Sequence, residues 1–449
     1  MKTVFDWSSY RDAGVGDAYA DIPKNGGDFA RAVAVCINSK QCETATRGVM
    51  CPSYRVTQDS NLSTGGRVRL LKAALNADSQ QNLYEQDDLD ASMALCVGCK
   101  GCRRECENEV DMAMIKVEYL AQRHARQGIP FRTRLLANFP TRLHKTPALR
   151  QLLKLRNRFT WLARLAENLL GISAKASLPV PARQTYLQSR KTDAPASDRP
   201  EVVLLIDSFT NNFAPENVLA ATEVLEAAGY RVIPACTTDT TEDPDRPLCC
   251  GRTFIANGMV EQARAEASRL LSVLQAHVAQ GRQIIGLEPA CLLAIRDDYR
   301  FLKLDMDVTP IANQSFLFEE FIAREITAKR LQLNLKPVDT RGQPILVHGH
   351  CHQKAVGAMK SMRKVLKLIP ELKFEMIESS CCGMAGSFGI EKEHAEIGRQ
   401  MAELALLPTI REHEQARILA NGFSCQQQIL QGSGRPALHI ARLLQEAIV

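Results

Sequence analysis

Aromatic side chains are scarce in this chain of 449 residues: phenylalanine, tyrosine and tryptophan make up 6% of it, and tryptophan occurs only 2 times. A surface that stacks nucleobases needs more ring area than this. A formal charge of +6 spread over such a length is too weak to track a phosphate backbone, so nucleic acid is excluded as a partner. There is also no uninterrupted apolar run of the roughly 18 residues that a membrane-spanning helix requires. The first ten residues carry Asp6 and lack an apolar stretch, so no secretory leader is expected. Acidic residues vanish from one stretch altogether. Between Glu118 and Glu167 there is no Asp or Glu, whereas Arg123, Arg126, Arg132, Arg134, Arg142, Lys145, Arg150, Lys154, Arg156, Arg158 and Arg164 are basic. Leu135, Leu136, Leu149, Leu152, Leu153, Leu155, Phe159, Trp161 and Leu162 are interleaved with them, which reads as basic amphipathic helices. These form either a connector packed on the core with its charges solvated, or a docking face for a partner protein or an anionic membrane.

What the chain has in plenty is cysteine. There are 15, an odd number, in a chain whose 45% hydrophobic content already provides a core without disulfides. Reduced thiols and metal are expected, in a cytoplasmic setting and peripheral at most on the inner face of a membrane. The thiols fall into two territories, seven from Cys36 to Cys106 and eight from Cys236 to Cys425. Residues 171–200, with Pro179, Pro181, Pro195 and Pro200, have linker composition. The resulting division is a helical cysteine-bearing module over 1–122, a basic helical connector and Pro-rich linker over 123–200, and two α/β repeats over 201–335 and 336–449.

The repeats are written in alternating periodicities. Glu201–Asp207 is a strand-length apolar run, followed by Val218, Ala221 and Leu225 at helical spacing. Val260, Ala263, Ala267, Leu270, Leu274 and Val278 mark a second helix leading into a strand at Ile284–Leu287. Strands at Pro344–His348, Lys373–Glu378 and Arg417–Ala420 repeat the pattern, with a helix at His394–Leu406 that turns Ile397, Met401 and Leu404 inward. Strands alternating with helices imply a parallel sheet covered on both faces. Cys249-Cys250-Gly251 recurs as Cys381-Cys382-Gly383, and Cys291 recurs as Cys425 at a similar downstream distance, so a duplication is expected. In the N-terminal module Asp28–Cys36, Ser92–Cys96 and Val110–Gln127 are helix candidates, Asp111 being the N-cap of the last.

The densest motif is Cys96-x2-Cys99-x2-Cys102-x3-Cys106. Three thiolates at this pitch wrap one face of an iron-sulfur cube, whereas structural zinc pairs two separated hooks, so iron is expected. The upstream run is Cys36-x5-Cys42-x8-Cys51-Pro52, with Ser39 where a further ligand would complete a regular motif. In two-cluster ferredoxins the fourth cysteine of a run serves the other cluster. By that exchange Cys51 joins Cys96, Cys99 and Cys102 around a [4Fe-4S] cluster and leaves Cys36, Cys42 and Cys106 together. The trio resembles the second cysteine run of succinate dehydrogenase iron-sulfur subunits, which implies a [3Fe-4S] cluster; a second [4Fe-4S] cluster with an oxygen ligand is the alternative.

Adjacent cysteines cannot readily bridge each other, so Cys249-Cys250 and Cys381-Cys382 at strand-to-helix turns read as a ligand or redox device. They resemble the CCG cysteine-rich domain, whose most complete examples, in heterodisulfide reductases, hold a non-cubane iron-sulfur cluster on five cysteines. The second repeat offers Cys351, Cys381, Cys382 and Cys425 for a metal or such a cluster. The first offers only Cys249, Cys250 and Cys291, with Asp207 and Ser208 near the place of Cys351, and is read as degenerate. For His348, His350 and His352 two readings stand: a strand end alternately facing solvent, or a ligand or quinone-facing role.

Taken together, GVMCPSYRVTQDSNLSTGGRVRLLKAAL from Gly48, LCVGCKGCRRECENEVDMAMIKVEYL from Leu95, LCCGRTF from Leu248, GLEPAC from Gly286, HGHCHQKA from His348, CCGMAGSFG from Cys381 and ANGFSC from Ala420 resemble the C-terminal half of large FAD-linked D-2-hydroxyacid dehydrogenases of the D-lactate and D-2-hydroxyglutarate type. The chain is more loosely similar to the iron-sulfur subunits of glycolate oxidase and anaerobic glycerol-3-phosphate dehydrogenase. Its departures are Glu107 after Cys106 where many ferredoxin runs have Pro, Ser39 in place of a ligand, and Gly65 in place of an Arg. The resemblance implies an α-helical ferredoxin module followed by a duplicated α/β (CCG-type) cysteine-rich domain. It implies an electron-transfer component of an oxidoreductase without a substrate site of its own, which takes electrons from a FAD-binding dehydrogenase subunit and passes them to quinone or a soluble carrier. Two rivals from other classes are a heterodisulfide-reductase-like thiol/disulfide enzyme and a scaffold held by redox-silent metal.

Overall fold

Two parallel sheets of four strands each form the second half of the chain in this computed structural model, which describes residues 3–17, 20–44, 48–77, 86–143, 148–189, 198–236 and 246–449. The first sheet holds β1 (Glu201–Leu205), β2 (Arg231–Ala235), β3 (Gln283–Gly286) and β4 (Ser315–Leu317) in the order β2-β1-β3-β4. The second holds β5 (Ile345–Val347), β6 (Phe374–Met376), β7 (Ile418–Leu419) and β8 (Ala437–Leu438) in the order β6-β5-β7-β8. All pairings are parallel. Val202, Val203, Leu204 and Leu205 are all buried, as a strand covered on both faces requires.

Each strand expected from the sequence coincides with an observed one, four of them shortened and β3 shifted one residue earlier, to begin at Gln283. β2, β4 and β8 were not anticipated. β4 and β8 have 3 and 2 residues, too few to show a period, and β2 contains Pro234, which normally argues against a strand. Pro234 is tolerated because β2 is an edge strand. The helices Pro215–Ala227 and Val260–Ala279 bury the expected Val218, Ala221 and Leu225, and Val260, Ala263, Ala267, Leu270 and Leu274. One inward residue is corrected. The helix Ala395–Glu403 buries Met401 with Gly398 and Ala402, but Leu404 is 45% exposed, because the helix stops before it and the chain turns at Ala405 into a new helix, Leu406–Glu412.

The N-terminal module is helical. Its principal helices are Asp28–Ala34, Thr64–Asn76, Asp87–Ala94, Gly101–Glu105 and Met112–Gln127. Asp111 caps the last, its carboxylate accepting from the Met114 N–H at 3.1 Å. The helix expected at Ser92–Cys96 begins instead at Asp87, where Asp87, Asp88 and Asp90 fill the first turn and favour the positive end of the helix. It ends before Cys96, which is left free to turn. Buried Glu118 accepts from the Val4 and Phe5 N–H groups and from Trp7 Nε1, tying the start of the chain to this module.

In the basic stretch the helices Phe131–Arg142, Leu149–Arg158 and Thr160–Leu170, with Phe159 between the last two, leave Leu135, Leu152, Leu155, Phe159 and Trp161 exposed, as a docking face requires, while Leu153 and Ala163 face inward. The described part of the Pro-rich linker is packed. Buried Arg156 donates to the carbonyls of Ser173 and Ala176, Ile172 forms a bridge to Glu391, and Tyr186 is buried. Lys145 and Pro195 lie outside the described residues. Among those residues no helix is long and apolar enough to cross a membrane.

The two sheets meet through a buried polar network. Glu319, in the helix Phe318–Thr327, accepts from Gln353 Nε2 and from Asn421 Nδ2, and Asn421 Oδ1 accepts from the Ile440 N–H at 3.0 Å. Burial pushes the Glu319 carboxyl from 4.5 up to about 7. Between those values the folded chain keeps a proton that the unfolded chain has released, so stability falls as pH rises through this window. Glu319→Gln is expected to flatten that part of the pH dependence, whatever constant offset it adds; denaturant midpoints measured from pH 4.5 to 8 for both proteins check this. An unchanged slope would show that Glu319 ionises as freely in the folded chain as in the unfolded one.

Candidate metal centres

Ten of the 15 cysteines are buried, and Cys36, Cys42, Cys96, Cys106 and Cys351 are partly buried. A buried thiol resists losing its proton unless a cation or hydrogen-bond donors compensate. Where the fold supplies such compensation is therefore where metal fits.

Cys51, Cys96, Cys99 and Cys102 line one cavity together with Thr64, Arg67, Lys100 and Met112. These are the four thiols that the ferredoxin-like exchange of ligands joins. The loop from Cys96 to Cys102 is shaped by Gly98 and Lys100 in the left-handed region, and Cys51 also has a positive φ, of 52°, ahead of Pro52. Glu105 fastens the two segments by accepting from the Val49 and Met50 N–H groups at 2.7 and 2.8 Å. Gly101 permits the approach, since a Cβ there would lie 2.8 Å from Met50 N. Donors face the sulfurs: Thr64 N–H lies 3.0 Å from Cys51 Sγ, and Gly65 N–H lies 3.3 Å from Cys42 Sγ, both at the N-terminus of the helix Thr64–Asn76. Burial pushes Cys102 up to about 12, and burial followed by the neighbouring Cys351 pushes Cys99 well up. Four thiols sharing one cavity, with the Thr64 N–H aimed at the Cys51 sulfur, fit an iron-sulfur cluster.

Cys36 lies close to both Cys106 and Cys42, so the second predicted trio is also brought together. Cys42 is hydrogen-bonded to Cys51, and this interaction leads the causes that draw its thiol down to about 6. The two groups of thiols thus adjoin.

In the sheets the cysteines gather at the carboxyl ends of the strands, flanking the point where strand order reverses, which is where open parallel sheets hold ligands. In the second sheet β5 runs into His348-Gly349-His350-Cys351, β6 into Cys381-Cys382 and β7 into Cys425. Cys351 is hydrogen-bonded to Cys381, Cys381 to Cys382, and Cys382 to Cys425, so the four predicted thiols form a chain of contacts. The Lys354 ammonium donates to the carbonyls of Ser379 and Ser380 and interacts with all four cysteines. The solvent-facing reading of the histidines is corrected: His348, His350 and His352 are 2%, 7% and 6% exposed. Burial draws His350 down to about 3 and the other two well below 6.5, so all three are neutral imidazoles.

In the first sheet Cys249, Cys250 and Cys291 are in contact, and Ser208 takes the place of Cys351. Both are the first residue of a short helix, capped by Asp207 in one sheet and His350 in the other. Ser208 interacts with Cys249 as Cys351 does with Cys381. Carboxylates crowd this first group, where burial and then Asp207 push Glu288 up to about 8. The Lys354 and Glu288 contacts were not anticipated from sequence. Lys354, one helical turn beyond Cys351, had a readable spacing; Glu288 meets Phe423 N–H at 2.8 Å from the opposite sheet and had none.

The N-terminal loop is clamped between the sheets. Lys100 pairs with Asp297 and Asp298, and Asp298 also pairs with Arg252 at 3.1 Å, beside the first sheet. On the other side His352 Nε2 donates to the Gly98 carbonyl at 3.0 Å, and Cys99 shares a buried cluster with Cys381, Cys382 and Cys425.

Residues 345–430 match the CCG cysteine-rich domain family. The D-2-hydroxyglutarate dehydrogenase of Escherichia coli (strain K12) is 23% identical over 90% of this chain, and the chain covers 42% of that protein's length. One component of the anaerobic glycerol-3-phosphate dehydrogenase of the same organism is 27% identical over 44% of this chain and 49% of its own length. Lactate utilization protein A of Bacillus subtilis (strain 168) is 22% identical over 45% of this chain and 77% of its own length. The resemblance drawn from the cysteine motifs is borne out by these relatives.

The two paired-cysteine turns differ in tolerance. A Cβ on Gly383, at φ +83°, would lie 1.9 Å from the Gly398 carbonyl oxygen, whereas one on Gly251, at φ +69°, would lie 3.1 Å from that of Ala263. Gly251→Ala is expected to cost about 1–2 kcal/mol, the ordinary left-handed penalty. Gly383→Ala is expected to exceed about 4 kcal/mol, because the backbone itself must move. Chemical denaturation of both variants compares the two, and equal costs would overturn the difference.

Proposed function

We propose that this chain is the iron-sulfur electron-transfer part of a flavin-linked dehydrogenase of 2-hydroxy acids such as D-2-hydroxyglutarate, D-lactate or glycolate. The observation that carries the reading is the convergence of Cys51, Cys96, Cys99 and Cys102 on one cavity whose loop abuts the thiols of the second sheet. A [4Fe-4S] cluster bound there would take up and release electrons singly. The chain's own part is to hold the cysteines, to present the Thr64 and Gly65 N–H groups to sulfur, and to keep Lys100 and Arg67 nearby. The proximity of Cys36, Cys42 and Cys106 supports a second cluster, and the crevice of the second sheet supports a further metal. The matching strand orders and helix caps support a duplicated CCG-type domain behind a helical ferredoxin module.

FAD and substrate belong on this reading to a FAD-binding dehydrogenase subunit as partner. Quinone or a soluble carrier receives the electrons. The thiol/disulfide reading fits less well, since it requires an accessible thiolate and Cys249, Cys250, Cys381 and Cys382 are buried with raised pKa values. Trp161, Leu165 and Leu169 are exposed on one helix, with Leu152 and Leu155 exposed on its neighbour and Lys154, Arg158 and Arg164 among them, which suits an anionic membrane surface.

Anaerobically purified chain is expected to contain iron and acid-labile sulfide and to give the EPR signal of a reduced four-iron cluster; Cys36→Ala should keep that signal and lose the second cluster. Iron-free or zinc-only protein would overturn the reading. Sedimentation with anionic liposomes at low salt is expected to carry the chain down, and Trp161→Asp with Leu169→Asp to release it; absence of binding by the unaltered chain would dispose of the membrane contact alone.

A further inference from the structure

His348 occupies a place that its sequence neighbourhood does not explain. It is 2% exposed, its Nδ1 lies 2.8 Å from Ser379 Oγ, and its Nε2 is buried without a hydrogen-bond partner. Leaving a buried ring nitrogen unsatisfied is costly, and such a group in a native fold calls for an explanation. One ring nitrogen of His348 and the sulfurs of Cys382 and Cys425 all lie within 4.8 Å of one another, and Nε2 is the nitrogen that no hydrogen bond occupies. They come from the ends of β5, β6 and β7, so three strands aim one donor each at one point.

We propose that His348 Nε2, Cys382 Sγ and Cys425 Sγ bind a single divalent transition-metal ion, zinc or ferrous iron, in the crevice of the second sheet, with Cys351 or Cys381 as the fourth ligand. This deepens the reading of that sheet as a metal centre and rests on it.

Ser379 already receives the Lys354 ammonium at 3.2 Å, so its hydroxyl oxygen is the acceptor in that contact. With Nδ1–H donating to the same oxygen, Nε2 keeps its lone pair for a metal. Ligating histidines are commonly oriented by this kind of outer bond from the second ring nitrogen. One imidazole with two or three thiolates is a tetrahedral donor set suited to zinc or iron and unsuited to hard cations. Lys354 offsets part of the thiolate charge. The backbone also leaves room: a Cβ on Gly422 would lie 2.5 Å from His350 Cδ2 and 3.4 Å from Cys425 Sγ, so that side of the crevice admits no side chain.

The first sheet serves as an internal comparison. His348 stands three residues before Cys351, and the residue three before Ser208 is Leu205, a buried aliphatic side chain. The first sheet thus lacks both donors, and the proposed site belongs to the second sheet alone.

The probe is Co2+, added to anaerobically purified full-length chain after mild chelation that leaves the visible absorption of the N-terminal cluster intact. The unaltered chain is expected to take up one Co2+ with the intense d–d bands of tetrahedral coordination. His348→Ala should weaken that affinity at least ~10-fold. His348→Cys should restore binding with shifted bands, because sulfur replaces nitrogen, and it carries the test if the alanine variant fails to fold. If His348→Ala binds Co2+ with unchanged affinity and spectrum while Cys382→Ser does not, the histidine is no ligand, although the metal centre stands. If the unaltered chain takes up no tetrahedral Co2+, the proposal and the metal reading of the second sheet fall together.

Discussion

A thiol removed from water holds its proton, and several thiols packed together hold theirs more tightly still, because each thiolate raises the cost of the next. This chain buries ten cysteines outright and half-buries five more. Burial and crowding push most of these thiols upward, among them Cys51, Cys99 and Cys102 in the N-terminal module and Cys351, Cys381, Cys382 and Cys425 in the second sheet. Without a cation such a cluster is a set of neutral, weakly bonded sulfurs, poor material for packing. With one, the same crowding becomes a ligand set. Much else in the architecture serves this arrangement: a helix N-terminus aimed at Cys51 and Cys42, an ammonium set against the four thiols of the second sheet, and histidines kept neutral by burial.

Parallel sheets suit this purpose because their strands all end on the same side. A loop leaving each strand end meets the others at the crevice where strand order reverses, so residues far apart in sequence converge without long connections. Both sheets use the geometry, but they fill it differently. The first places Ser208, Asp207 and Glu288 around three cysteines, adding buried carboxyls that resist ionisation as the thiols themselves do. The second places Cys351, His348 and Lys354 around its thiols, adding donors and a compensating positive charge. The same topology therefore yields two crevices of unlike chemistry.

The clamp on the Cys96–Cys102 loop joins these parts into one unit. Lys100 commits its charge to Asp297 and Asp298, fixing the loop against the first sheet, while His352 holds Gly98 against the second. Cys99 is thereby brought beside Cys351 and Cys381. A loop held by ion pairs on one side and by neutral hydrogen bonding on the other keeps its position without placing extra carboxylates beside the thiols of the second sheet.

Much of this was legible in sequence wherever the signal was local. The pitch of Cys96, Cys99 and Cys102, the capped helix from Met112, the apolar strands β1, β3, β5, β6 and β7 and the repeated Cys-Cys-Gly turns all declare themselves within a few residues, because backbone geometry and side-chain periodicity act over that range. Leu404 misled because a helix end is set by the turn beyond it, and Leu152, Leu155 and Trp161 left two readings open because their pattern tells that a face exists without telling what covers it. Only the tertiary structure could decide that His348 meets Cys382 and Cys425, that Glu319 bonds Asn421, or that Glu288 receives Phe423 N–H, since each contact joins segments separated by tens to more than a hundred residues. The sequence by itself determined the spacing of the thiols and the local elements that carry them; the packing of two sheets around a shared polar seam decided which of them face one another, because that depends on the whole chain closing at once.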